Sequence, residues 1–209
     1  MIQINASRVG NAKMLFHLPA PSQPERTPMT VNAPFNLGHW VDKFRDQLKP
    51  PVGNKLLFEE DGMIAQIIGG PNTRVDFHDD PVQEFFYQIK GDMILKVVDD
   101  GEIKDVRINE GEVFMLPPHM RHSPQRPLPG SYGLVIESPR MAGMLDAFEW
   151  YCFECMACIH RIEVPVNNIV DDLPPLYEAF YADDAARTCG DCGAVHPGKG
   201  KPPPGWADI

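Results

Sequence analysis

With 209 residues, 43% of them hydrophobic and 23% charged, the chain has the composition of one soluble globular domain plus a small appendage, which excludes disordered and fibrous classes. A formal charge of -10 argues against a nucleic-acid partner, since phosphate backbones are bound by basic patches, and points to a small-molecule ligand instead. The longest apolar runs, such as MIAQIIGG, fall well short of the roughly 18 residues of a membrane-spanning helix, so no membrane partner is expected.

Residues 1–32 read as a disordered or non-native extension. The stretch up to Met29 is basic before Glu25 and ends in a proline-rich tract that holds neither helix nor sheet; a transit peptide, or an upstream start codon with Met14 or Met29 as the working start, both fit it. Beyond Ala33, Leu37, Trp40, Val41, Phe44 and Leu48 form the apolar stripe of an N-terminal helix that Pro50 and Pro51 stop. The period then changes to two. Short strands follow, NKLLFEE, MIAQIIGG, TRVDFH, EFFYQIKG, DMILKVV, EIKDVRI, EVFMLP and YGLVIE, separated by turn signals at Asp61-Gly62, Gly70-Pro71-Asn72, Asp100-Gly101 and Glu110-Gly111. That spacing predicts an all-β sandwich or barrel over residues 33–149. From about Trp150, residues 150–209 form a second unit carrying cysteines and a short helix over LPPLYEAFYADDAAR.

Polar residues interrupt the apolar strands at two places. In residues 77–91, FHDDPVQEFFYQIKG, strand alternation puts Arg74, Asp76 and His78 on one face and Val75 and Phe77 on the other. Glu84 follows the turn at Pro81, and a hairpin there brings imidazole and carboxylate together. Residues 111–126, GEVFMLPPHMRHSPQR, read as a strand ending at Pro117-Pro118 and then a polar turn with His119, Arg121, His122 and Arg126. His78, Glu84 and His122 are the two imidazoles and one carboxylate that suit non-haem Fe(II) with open positions. His119 competes with His122, and Asp79 or Asp80 with Glu84, although an acidic turn capped by proline is normally solvated. A lone histidine on a sheet is ordinarily structural, the reading given to His17, His39, His160 and His196.

Of the five cysteines, Cys152 and Cys155 (CFEC) and Cys189 and Cys192 (CGDC) form two CxxC pairs, which point to a tetrahedral metal site of the rubredoxin or zinc-ribbon kind in a reducing compartment. Four thiolates saturate the ion, iron or zinc, so its role is structural or that of a reservoir. A redox-active disulfide is the rival, weakened because such a motif sits between a strand and a helix and does not recur twice. Cys158 is the odd thiol, and its register lets it compete with Cys155.

The spacing H-x-D-x3-E-x6-G from His78 through Asp80 and Glu84 to Gly91 resembles the first cupin motif. G-x5-P-x4-H from Gly111 through Pro117 to His122 resembles the second, and this register favours His122 over His119. Asp80 stands where many cupins have a second histidine, which reduces four ligands to three; His119 replaces a glycine and Arg126 an asparagine. More narrowly, FHDDPVQEFFYQIKG, LPPHMRHSPQRP and GMLDAFEWYC resemble the 3-hydroxyanthranilate 3,4-dioxygenase family in its bacterial form with a cysteine-rich tail, over roughly Ala33 to Gly198.

The resemblance implies a cupin double-stranded β-helix, or jelly roll, with a rubredoxin-like tail. It implies iron(II) on His78, Glu84 and His122, and opening of the 3-hydroxyanthranilate ring by O2 to 2-amino-3-carboxymuconate semialdehyde in tryptophan breakdown by the kynurenine route, toward quinolinate and NAD. A cytoplasmic homodimer is implied as well. Carried onto this chain, Glu84, Arg126 and Glu137 contact substrate and Arg74 contacts oxygen, with Arg74, Arg126 and Glu137 as the catalytic side chains.

Physical chemistry gives these roles a rationale. Three protein ligands leave room for the oxygen and nitrogen of an ortho-aminophenol and for O2. An arginine fork suits the substrate carboxylate, and Arg74 and Arg126 are available for it. In YGLVIE, Gly133, Val135 and Glu137 share one face, so Glu137 ends an inward row, needs a partner such as Arg126, and can accept a proton from the substrate. Surface ion pairs for Arg74, Arg121 and Arg126, and an edge position for Glu137, are the plainer readings. The rival function is a non-catalytic cupin binding module for a small aromatic acid, with a zinc-ribbon tail for contacts.

Overall fold

The computed structural model describes residues 33–49, 53–58, 62–166 and 169–209. The expected extension over 1–32, the helix stop at Pro50-Pro51 and the end of the NKLLFEE strand lie outside them. Helix α1 (Leu37–Phe44) continues as a 3-10 turn, Arg45–Leu48. Asn36 caps it, its side-chain oxygen accepting from the His39 N–H at 2.9 Å.

Among the described residues eleven strands follow: β1 (Asn54–Leu56), β2 (Ile64–Gly69), β3 (Asp76–Asp79), β4 (Glu84–Lys90), β5 (Met93–Asp99), β6 (Glu102–Ile108), β7 (Val113–Leu116), β8 (His122–Gln125), β9 (Tyr132–Glu137), β10 (Asp146–Tyr151) and β11 (Cys158–Val164). Helices α2 (Ile169–Ala182) and α3 (Asp184–Arg187) come after them. The strands form two antiparallel sheets, one in the order β1-β2-β9-β4-β7 and the other β11-β10-β3-β8-β5-β6. This is the all-β jelly roll expected from the two cupin motifs. The sheets enclose Phe86, Leu116 and Val135 from the first against Met93, Leu95 and Val97 from the second. Side-chain alternation explains the division: along β9, Gly133, Val135 and Glu137 are buried while Tyr132, Leu134 and Ile136 are only partly so.

Local chemistry fixes the turns. Asp100 (φ 51) and Gly101 (φ 79) join β5 to β6 with both central residues left-handed, the geometry of a two-residue hairpin whose twist matches the flanking strands. Helix α1 lies on the outer face of the first sheet, where Val41 and Leu48 pack on Ile67.

Two expectations are corrected, and strand β10 was not anticipated. Strands β3 and β4 are not a hairpin; they belong to opposite sheets, and the Asp80–Gln83 connection crosses between them. His122 lies not in a polar turn but on β8, a strand despite Pro124. GMLDAFEWYC contributes β10, whose six residues are all buried between β3 and β11, so it shows no polar alternation to read.

The chain beyond residue 150 builds onto this frame. Strand β11 extends the second sheet, and α2 covers Phe148 and Trp150. Trp150, fully buried, stacks on Phe180 with ring centroids 4.3 Å apart. Such an aromatic anchor is worth about 3–5 kcal/mol relative to alanine.

Candidate metal centre and active-site pocket

Both imidazoles come from the second sheet. His78 on β3 and His122 on β8 are directly paired in the ladder, with rings 5.3 Å apart. Glu84, the first residue of β4, reaches across from the first sheet, its Oε1 lying 2.8 Å from His122 Nε2 and 3.9 Å from His78 Nδ1. The outer nitrogens are held. His122 Nδ1 donates to the Met120 carbonyl at 2.9 Å, and His78 Nε2 to Asp146 Oδ1 at 2.8 Å. Phe148 lies flat on His78 at 4.8 Å. Such outer bonds fix the tautomer and turn each ring's free lone pair inward.

These residues fit a metal ion. Burial holds His78 below the ordinary histidine range, so it is a neutral donor. Burial opposes ionisation of Glu84, but His122 outweighs it and the carboxyl is held below its usual range. Glu84 Oε1 is nevertheless buried without a hydrogen-bond partner, its approach to His122 Nε2 lacking hydrogen-bond alignment. Burial opposes charging of His122, but Glu84 outweighs it and holds the ring above the ordinary histidine range, so with Nδ1–H committed to Met120 it is a proton on Nε2, or a metal ion in its place, that faces that oxygen. Converging lone pairs in a buried space repel unless a cation is shared among them.

Arg140, which the sequence reading did not single out, organises the surrounding acids. It donates to both oxygens of Asp146, to Glu137 Oε2 at 2.9 Å and to Asp80 Oδ2 at 2.9 Å. Asp80 is therefore buried and paired, not solvated, and burial together with Glu84 pushes its carboxyl up to about 8. Glu137 is raised to about 7 by burial and Glu84. Its partners are Arg140 and Gln66, whose Nε2 donates at 3.0 Å, which corrects the expected pairing with Arg126. Groupings of Asp80 with Asp146 or Glu137 also bring donor atoms together, but Arg140 already pairs with all three acids. Asp79 is likewise occupied, by Arg161 and by an exposed His119. Arg121 lies 4.0 Å from Glu149, away from the pocket.

Arg126 is 1% exposed yet makes no ion pair with a described carboxylate, and burial and Arg74 pull its guanidinium down to about 10. Its Nε donates to Gln88 Oε1 at 3.3 Å; Gln88 is aimed by donating its own amide to the carbonyls of Lys90 and Gly91. Gly133 makes room for both, since a Cβ there would lie 2.6 Å from Gln88 Oε1 and 3.2 Å from Arg126 Nη2. A buried arginine without a carboxylate awaits an anion. Arg74, by contrast, pairs with Asp76 and donates to the Tyr177 hydroxyl at 2.9 Å. Arg74, Arg126, Arg140 and Glu137 border one cavity with His78, Glu84 and His122; it measures about 350 Å³, with apolar walls from Ile68, Phe86, Val135 and Phe148, a size suited to a small aromatic ligand.

The four-cysteine site also assembles. Cys152 Sγ lies 3.5 Å from Cys192 Sγ, Cys155 Sγ 3.5 Å from Cys189 Sγ, and all four fall within 4.8 Å of one another. Sulfurs about 2.3 Å from a tetrahedral ion stand roughly 3.8 Å apart, so the set fits one. The two knuckles repeat the same bonds: Cys152 N–H to Ala157 and Cys189 N–H to Ala194, both 2.8 Å, each with a left-handed residue after the second cysteine, Met156 (φ 64) and Gly193 (φ 76). Backbone N–H groups of Cys192 and Asp191 draw the Cys189 thiol down to about 7. Cys158 lies outside the cluster, against the His160 carbonyl.

Comparison with known proteins bears on this geometry. A family model described as 3-hydroxyanthranilic acid dioxygenase matches residues 29–181. Proteins named 3-hydroxyanthranilate 3,4-dioxygenase match along most of the chain. That of Shewanella woodyi is 57% identical over 87% of this chain and 95% of its own length. That of Jannaschia sp. is 59% identical over 84% and 97%, and that of Brucella anthropi 58% identical over 87% and 100%.

The Arg140 network carries a stability consequence. Arg140→Met strands Asp146, the one of its three partners that is held below the usual carboxylate range, drives the already raised Asp80 and Glu137 further toward the protonated form, and is expected to cost about 3–5 kcal/mol in urea unfolding at neutral pH. Without the cation these acids bind protons more tightly folded than unfolded, so the deficit should grow as pH rises from about 4 toward 8 and shrink in acid. A pH-independent deficit would contradict this assignment.

Proposed function

This chain belongs to the 3-hydroxyanthranilic acid dioxygenase family, and from that premise we propose that His78, Glu84 and His122 hold iron(II) and that Arg126 and Glu137 handle the substrate beside it. The reaction is ring cleavage: 3-hydroxyanthranilate and O2 give 2-amino-3-carboxymuconate semialdehyde. The observation that carries the residue assignment is the coincidence, in one cavity, of an orphaned Glu84 oxygen between two imidazoles with a buried, uncompensated Arg126. A non-catalytic binding module needs neither the family's chemistry nor a three-donor site open on its cavity side.

Bound iron(II) supplies the redox centre at which aromatic ring and O2 react. The protein's share is positional and acid–base. Arg126 meets the substrate carboxylate through a planar fork, and Gln88 and Gly133 fix where that fork points. Ile68, Phe86 and Val135 exclude water around the ring. Glu137, poised near neutrality, accepts the proton that the ring hydroxyl releases, while Arg140 and Gln66 hold its two oxygens. Arg74, occupied by Asp76, shapes the oxygen side of the cavity with a fixed positive charge. The four cysteines hold a second, structural ion, iron or zinc. No helix among the described residues is long and apolar enough to cross a membrane, and five unpaired thiols suit the reducing cytoplasm.

A homodimer fits the outer face of β4 and β7. There the cross-strand pairs Phe85–Met115 and Tyr87–Val113 lie beside the part of the sheet that α1 covers, and Val113 and Met115 are 60% and 57% exposed. Sedimentation should show a dimer that Met115→Glu dissociates; a monomeric native protein refutes the pairing.

Two further outcomes test the assignment. Metal analysis of native protein should show two ions per chain. His122→Ala is expected to lose iron and ring cleavage while keeping the four-cysteine ion, and Cys189→Ser to lose only the latter. Retention of iron by His122→Ala would overturn the ligand set. For Glu137, kcat/KM should rise with pH through about 7 as the carboxyl ionises, because only the ionised form accepts a proton. Glu137→Gln should lower the rate by roughly 10²–10⁴ and remove that limb.

A further inference from the structure

The residues after the second cysteine pair reach the substrate cavity, and no role in the chemistry above uses them. Lys199 and Gly200 border the cavity together with Arg74, His78 and Arg126. Seven residues past Lys199, Trp206 lies on the opposite face of the second sheet. Its indole stands edge-on to Phe77 at 6.3 Å, meets Phe153 at 5.2 Å, and lies 4.4 Å under the ammonium of the buried Lys96. Its Nε1 donates to the Arg74 carbonyl at 2.8 Å. Phe77 and His78 point to opposite faces of β3, so the segment passes from the cavity to the outer face around Arg74. Chain ends fray unless tied down, and this one is tied by packing, a cation–π contact and a hydrogen bond to a pocket residue.

Lys199 differs from the other cations of the cavity. Arg74 is held by Asp76, Arg140 by three acids, and Arg126 is sealed inside. Lys199 is exposed where it borders the cavity, so it stands at the open end, and it makes no ion pair or hydrogen bond among the described residues. A chain of net charge -10 repels an anionic ligand at long range, and a free cation at the entrance reverses that field locally. A flexible ammonium suits capture of a passing carboxylate better than rigid two-point binding.

We propose that Lys199 and Gly200 form part of the wall of the substrate pocket, in which Trp206 pins their chain segment to Arg74 and Lys199 places a cation at the entrance that selects for the carboxylate of an aromatic acid. The proposal rests on the ring-cleaving reading above and concerns how its acidic substrate is admitted.

The test is equilibrium binding under anaerobic conditions to iron-loaded protein, with 3-hydroxyanthranilate and with 2-aminophenol, the same ring without the carboxylate. Lys199→Gln is expected to weaken binding of the acid by roughly two- to fivefold, the size of one exposed ion pair, and to leave 2-aminophenol unchanged. Added salt should narrow the difference. Trp206→Ala should reproduce the loss for the acid, and the double variant should show no more than Trp206→Ala alone, with the four-cysteine ion retained as evidence of folding. Equal weakening of both compounds, or none, overturns the role of Lys199; additive losses overturn the anchoring by Trp206. Failure of the native protein to bind either compound sinks the functional reading first, and the selective wall with it.

Discussion

An excess of negative charge sealed between two sheets governs this structure. Asp76, Glu84, Glu137 and Asp146 are buried around one cavity, Asp80 is buried behind it against Arg140, and the buried or partly buried cations facing them are the guanidinium groups of Arg74, Arg126 and Arg140. With every acid ionised, two negative charges are left over. Desolvation makes that arrangement costly, so the cavity either takes up protons or takes up a divalent cation. The elevated Asp80 and Glu137 are the first response, and the orphaned Glu84 oxygen marks where the second acts. A divalent ion closes the balance without disturbing Arg140, whose bonds all go to acids other than Glu84.

The jelly roll meets this demand with little local strain. Two neighbouring strands of one sheet place two imidazoles in direct register, and the facing sheet supplies the carboxylate across the gap, so three donors converge from two rigid surfaces. The connection from β3 to β4 is what makes this possible: a hairpin would have laid His78 and Glu84 side by side on one sheet, whereas the crossing puts them opposite each other. Arg126 is positioned by an absence as much as by a contact, because the bare Cα of Gly133 is the space its guanidinium occupies.

How much of this was legible follows from what kind of signal each part leaves in sequence. The strands from Ile64 to Glu137 were readable, by alternation where one face is wet and by turn signals at both ends for the buried β5, apart from β8, which Pro124 disguised as a turn. Strand β10 left no alternation because both its faces are dry. The candidate metal ligands were legible because motif spacing constrains them: His78, Glu84 and His122 do converge, as do Cys152, Cys155, Cys189 and Cys192. Arg140 and Asp146 were not, since a lone Arg after Ser138-Pro139 and an Asp opening an apolar run carry no spacing rule, and only their burial reveals them. The misplaced pairing of Glu137 with Arg126 has the same origin. Glu137 was read as inward-facing and Arg126 as a partner for it, but which of two arginines reaches an inward acid is decided by three-dimensional packing.

The cysteine site acts on the catalytic cavity through chain topology. Its two knuckles lie at either end of β11, α2 and α3, so an ion held by all four thiolates closes that whole stretch into a loop. By analogy with a disulfide of similar span, such closure is worth on the order of 3–4 kcal/mol, taken mostly from the freedom of the unfolded chain. What it keeps in place is specific. Helix α2 carries Phe180 against Trp150, and Tyr177 against both Phe148 and Arg74. Phe148 is the ring stacked on His78, so a loosened α2 would free one face of a cavity-lining imidazole and one partner of a pocket arginine together. The left-handed Met156 fits this account. Its partner position in the second knuckle is the strain-free Gly193, and a β-carbon is tolerated at Met156 only because the surrounding bonds over-determine the turn. Rigidity in the tail is therefore a condition for a flat, dry wall behind the metal centre.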